Sequence, residues 1–134
     1  LRAGEKIKKM ADLTKNFDRS EMCCNCGCGT DNISLEFINR LQKARDLAGI
    51  PFHINSACRC PSKNKLEGGT YSSDHLSTES NECKAADVAC RSSHDRFILI
   101  KAGLNAGFNR IGVGRTFIHF GMSDTNPQEV IWLY

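Results

Sequence analysis

The sequence predicts a single α+β domain. Two segments repeat apolar residues at helical spacing, 34–49 and 92–107, and shorter segments around them read as strands. The resulting order is helix, strand, long loop, strand, helix, strands, a mixed pattern that packs as one domain. With 134 residues, 40% hydrophobic and 25% charged, the chain supports one real core and is too short for two comfortable ones.

Residues 1–22 read as a polar lead-in, with Arg2, Lys6, Lys8, Lys9 and Lys15 set among Glu5 and Asp12 and one short helix around Ile7 to Leu13. The domain proper is expected over 23–134. Its first stretch, CCNCGCG, is irregular because Gly27 and Gly29 break any period. In SLEFINRLQKARDLAG, Ser34 is the N-cap and Phe37, Ile38, Leu41, Ala44 and Leu47 or Ala48 form the apolar stripe. Gly49 stops that helix. PFHINS (51–56) alternates as a strand, with Phe52 and Ile54 on one face and His53 on the other. CRCPSKNKLEGGTYSS reads as loop, punctuated by Pro61 and Gly68-Gly69. KAADVAC (84–90) reads as a buried strand. Ser92 or Ser93 caps a second helix with Phe97, Ile100, Ala102 and Leu104 inward and Gly107 as terminator. NRIGVG, TFIHFGM and EVIWLY close the domain as three short strands.

A net charge of +3 gives no push toward nucleic acid or a membrane surface, and no apolar run approaches the length that crosses a bilayer. The expectation is a monomer that engages neither.

Eight cysteines, Cys23, Cys24, Cys26, Cys28, Cys58, Cys60, Cys83 and Cys90, are many for this length. An even count suits a disulfide framework in an oxidising compartment and a metal site in a reducing one. Cys23 and Cys26 have the C-x2-C spacing of half a zinc site, and Cys58 and Cys60 would complete four ligands, although C-x-C is a weak signal. Disulfides from the 23–28 cluster to the 58–60 or 83–90 segments fit the count at least as well. Spacing leaves the pairing open.

Two histidines and one aspartate stand in telling settings. His75 follows SSD in the long loop, Asp87 interrupts the apolar run of KAADVAC, and His119 lies among Phe117, Ile118 and Phe120. Two imidazoles and a carboxylate, with a fourth place left for water, make a catalytic zinc site, where the metal lowers the pKa of water to about 7. The plainer reading is a core histidine and a buried ion pair, with Arg59, Arg91, Arg110 or Arg115 as partner to Asp87.

The segments NSACRCPSKNKLEGG, SSDHLSTESNECKAADV and GVGRTFIHF, in that order, resemble the zinc D-Ala-D-Ala carboxypeptidase family, which includes phage endolysins and small viral peptidases and shares its fold with the hedgehog signalling domain. Its members typically read S-G-y-R-x-p-x-x-N-x-x-v-G-G, then S-x-H-x-x-G-x-A-x-D, then a late F-x-H-x-D. The resemblance runs through CGCG and the first helix as well, over about residues 23–122. It implies a small, mostly antiparallel sheet packed with two main helices. It also implies zinc held by His75, Asp87 and His119, with Ser73 and Arg59 at substrate-binding positions and Arg59 assisting catalysis as an anion binder. The implied activity is hydrolysis of peptidoglycan stem or cross-link peptides at the bacterial cell wall, periplasmic or extracellular, by a phage- or virus-encoded peptidase.

The chain departs from that pattern in two places. His75 and Asp87 are twelve residues apart where the family has seven, and Cys83 replaces a glycine; a Cys83–Cys90 bridge would restore rigidity. Loop entropy tolerates such an insertion, and its acids Glu79 and Glu82 become candidate ligands. The carboxylate that many members carry three residues before the last histidine is Thr116 here, and the acid two residues after it is Gly121. Asp124 is then the nearest downstream candidate for proton transfer, followed by Glu129, with Asp74, His53 and His94 as further ones. The missing acids keep a second expectation open, a zinc-containing binding module that hydrolyses nothing. A third is an interaction domain whose metal site is the cysteine cluster.

Overall fold

The computed structural model describes residues 11–134. The helix expected at Ile7 to Leu13 lies mostly outside them, and residues 11–13 are not helical. Four helices and five strands follow: α1 (Arg19–Met22), α2 (Leu35–Ala48), β1 (Ile54–Ser56), α3 (Pro61–Leu66), β2 (Ala85–Ala89), α4 (Ser93–Ala106), β3 (Arg110–Val113), β4 (Phe117–Gly121) and β5 (Val130–Leu133). The strands form one sheet in the order β1-β2-β4-β3-β5, antiparallel except for the β3–β5 pair. The α+β class expected from the sequence is what folds. Among the described residues no helix is long and apolar enough to cross a membrane.

Strand periodicity divides the sheet into two faces. Ala86 and Val88 of β2, Ile118 and Phe120 of β4 and Ile111 of β3 belong to the hydrophobic core. They pack with Phe37, Ile38 and Leu41 of α2 and Leu99 and Ala106 of α4. The alternate positions, Asp87, His119, Gly112 and Trp132, stand in register across the opposite face. One face therefore holds the fold together and the other carries chemistry.

Ser34 caps α2 through its side chain and Gly49 closes it, as the sequence predicts, while Leu47 is exposed. Ser92 caps α4, and the inward face matches the expected one at Ala102 and Ile100 but not at Phe97 and Leu104. Leu99, Ala102, Gly103 and Ala106 are buried, whereas Phe97 and Leu104 are exposed. Small residues win that face because α4 crosses the sheet closely: a Cβ at Gly103 would come within 2.3 Å of the Phe120 ring. The expected loop at 60–67 contains α3, with Cys60 as N-cap and Pro61 in the first turn. Phe17 and Met22 are core residues, so among the described residues packing against the core begins before residue 23.

None of the eight cysteines is paired in a disulfide. A Cys83–Cys90 bridge is ruled out by β2 itself, whose extended residues separate the two by roughly 20 Å. Cys83 instead neighbours Cys58 in the core, and the Cys90 thiol faces the Ser92 carbonyl.

Candidate metal centre

Asp87 and His119 face each other across the β2–β4 ladder, so backbone hydrogen bonds fix half of the centre. His75 joins them from the long loop, where Arg59 N–H donates to the His75 carbonyl (2.8 Å) and Ser77 N–H to the Arg59 carbonyl (2.8 Å). Those bonds dock the loop against residue 59 as a short parallel bridge. All three side chains are buried.

The inward atoms form a small triangle. His75 Nε2 is 3.2 Å from Asp87 Oδ1 and 3.2 Å from His119 Nδ1, and His119 Nδ1 is 3.0 Å from Asp87 Oδ1. Each ligand-type group is also held from outside. His75 Nδ1–H donates to the Ala57 carbonyl (2.7 Å), which leaves Nε2 with its lone pair inward. His119 Nε2–H donates to Asp74 Oδ2 (3.2 Å), which does the same for Nδ1. Asp87 Oδ2 lies 3.4 Å from Arg59 Nη2, so Oδ1 is the oxygen turned to the centre. Outer partners of this kind fix the tautomer and orientation of metal-binding groups.

Three lone pairs aimed at one point repel one another unless a cation lies between them. Four-coordinate zinc with N and O ligands needs ligand atoms about 3.3 Å apart, so the triangle fits within about 0.3 Å. The electrostatics agree. Burial pushes the His75 pKa down despite Asp87 beside it, and the ring stays neutral. Burial opposes charge on His119 too, but Asp74 and Asp87 outweigh it and raise its pKa. Asp74 is desolvated, yet His119 and Arg110 hold its carboxyl down at about 2. Asp87, likewise desolvated, is held well below the usual carboxylate range by His119 and His75. Asp87 and Asp74 stay ionised beside the two imidazoles, each balanced on its outer side by an arginine, Arg59 and Arg110.

Residues 15–121 match the family described as Peptidase M15. The chain belongs to the M15 peptidases. No curated protein matches it. In this M15 domain a cleft of about 410 Å³ opens over the centre, lined among others by Arg59, Glu67, Ser73, His75, His119 and Tyr134. Arg59 and Ser73 both line this cleft, and Ser73 Oγ also accepts from the His75 N–H (3.2 Å). Of the arginines considered as partners for Asp87, Arg59 fills that role, while Arg110 pairs with Asp74 at 2.9 Å.

Several expected residues are elsewhere in the M15 fold. Asp124 is exposed and lines a separate hollow of about 90 Å³ with Ser123 and Lys84, because the chain has turned away from the sheet after Gly121. Thr116, Glu129, His53 and His94 are exposed and line no part of the cleft. Glu79 and Glu82 are exposed on a turn closed by Thr78 N–H to the Asn81 carbonyl (2.9 Å), away from the centre. Glu67 was missed by sequence reasoning. It follows α3, and only that helix, read as loop, brings it to the cleft wall.

Proposed function

We propose that this M15 peptidase is a zinc enzyme that cuts peptidoglycan stem or cross-link peptides at the bacterial wall, as a D-Ala-D-Ala carboxypeptidase or an endolysin-type endopeptidase. The convergence of His75 Nε2, Asp87 Oδ1 and His119 Nδ1 carries the reading. Those three atoms would hold zinc, which when bound polarises the scissile carbonyl and activates water for attack. Arg59 is suited to orient the carbonyl or terminal carboxylate of the peptide, since its fork of donors reaches the cleft while its other side rests on Asp87 and Ser56 (3.2 Å). Ser73 lies on the same wall as a hydroxyl contact for the peptide.

Glu67 is our candidate for proton transfer. Asp74, the other carboxylate on the cleft wall, is committed to Arg110 and His119. The Lys63 ammonium 2.9 Å away holds the Glu67 pKa low, so the carboxylate is ionised, and it accepts a proton only as it gives up that pairing at the exposed cleft wall. In the balanced step, a water oxygen bonds the carbonyl carbon, one proton passes to Glu67 and on to the departing amine, and the C–N bond breaks.

The test is incubation of zinc-loaded protein with purified stem peptides, read by mass spectrometry, with His119→Ala as control. A product formed only by the unaltered protein supports the peptidase and names the bond. A second reading, a wall-binding module of the same fold, is favoured by the exposed Thr116 where relatives carry an acid. Absence of product from protein with a filled His–Asp–His centre would favour it.

A further inference from the structure

Four of the eight cysteines leave the rest and converge. The Sγ atoms of Cys24, Cys26, Cys28 and Cys60 all lie within 4.8 Å of one another, with Cys24–Cys26 at 3.4 Å and Cys26–Cys60 at 3.7 Å. Tetrahedral zinc with four thiolates at 2.3 Å places its sulfurs about 3.8 Å apart, whereas a disulfide joins two sulfurs at about 2.05 Å and gives no reason for four to meet.

The backbone is shaped for that convergence. Gly27 and Gly29 both take left-handed φ, 84° and 81°, which curls the loop until the Cys24 N–H reaches the Thr30 carbonyl (2.8 Å). Backbone N–H groups point at two of the sulfurs, Cys60 N–H at Cys24 Sγ and Lys63 N–H at Cys60 Sγ, each at 3.4 Å. Donors of this kind stabilise thiolate charge. The pair expected from spacing to join them is excluded: Cys23 Sγ faces the Arg19 carbonyl and Cys58 neighbours Cys83.

We infer that Cys24, Cys26, Cys28 and Cys60 bind a second, structural zinc ion, separate from the His–Asp–His centre. It ties the 24–28 loop to the N-cap of α3. Since Arg59 precedes Cys60 and touches Asp87, the clamp also holds the cleft arginine in place.

The experiment is metal analysis of the full chain prepared with Zn2+ under reducing conditions, followed by exchange with Co2+. Two zinc ions per chain are expected, falling to one in Cys26→Ser/Cys28→Ser and to one in His75→Ala/His119→Ala. The intense thiolate-to-cobalt charge-transfer band should persist in the histidine variant. The unaltered protein gives an independent reading should either variant fail to fold: its cobalt form must show that band, and after denaturation without reductant all eight thiols must titrate. A single zinc lost with the histidines, a cobalt spectrum without thiolate absorption, or four thiols missing as two disulfides would each overturn the inference. None of these readouts depends on peptide hydrolysis.

Discussion

Asp74 occupies the space into which a side chain at residue 121 would project. A Cβ at Gly121 would lie 2.5 Å from Asp74 Oδ2 and 2.9 Å from His119 Nε2. The acid that the family pattern places two residues after the last histidine is absent, and a carboxylate from beside the first histidine fills its place. The glycine makes the room. Gly121→Asp alone should therefore crowd two carboxylates against His119 and weaken zinc binding at the His–Asp–His centre about 10-fold or more. Adding Asp74→Gly should recover most of the loss. A chelator-competition titration of both variants checks the exchange, and a double variant no better than the single one would refute it.

Asp74→Asn keeps the shape but not the charge facing His119, Arg110 and Asn126. Zinc affinity should fall about 10- to 100-fold, as for other outer partners of metal-binding histidines. Acid stability should change as well. With the folded carboxyl at about 2 against an ordinary 3.8, Asp74 contributes stability that is complete above the unfolded value and is lost as pH falls through about 2. Urea melts of zinc-free protein at descending pH should show a smaller decline in the asparagine variant.

Glu67→Gln should leave zinc content unchanged and lower kcat by about 100-fold or more, with KM little altered. Steady-state kinetics on the peptide identified by mass spectrometry separates this from a structural role. A change confined to KM would instead make Glu67 a binding residue.

Gly103→Ala should cost about 1–3 kcal/mol, because the new methyl meets the Phe120 ring at 2.3 Å in the core. Thermal unfolding measures it. Trimming the ring with Phe120→Leu in the same chain should return part of that stability, since the clash is with the ring edge.

The fold was legible where a local rule determined it. Ser34 and Gly49 bound α2, Gly107 closes α4, and short apolar runs place Asp87 and His119 on strands. The inward face of α4 is legible only at Ala102 and Ile100, because apolar size favours Phe97 and Leu104 while the close sheet crossing selects Gly103 and Ala106. Helix α3 hid behind Pro61 and the polar PSKNKL, whose signals suit a first turn as well as a loop. In the candidate centre, His75, Asp87, His119 and Arg59 follow the order of a family pattern, and the fold brings them together. Glu67 and the outer role of Asp74 were not legible, since each depends on where separate segments meet.

The β2–β4 pairing has a consequence for how this domain can change over time. Asp87 and His119 are opposite partners in one ladder, and His75 is docked by the residue 59 bridge. The residues between, from Thr78 to Glu82, turn back on themselves outside that frame, with Asn81 Nδ2 donating to the Leu76 carbonyl (2.7 Å). The spacing between the first two family positions is thus free to lengthen or shorten without recalibrating the centre. That turn is a natural graft point, where a new recognition segment can be tried on the rim while the chemistry beneath keeps its dimensions.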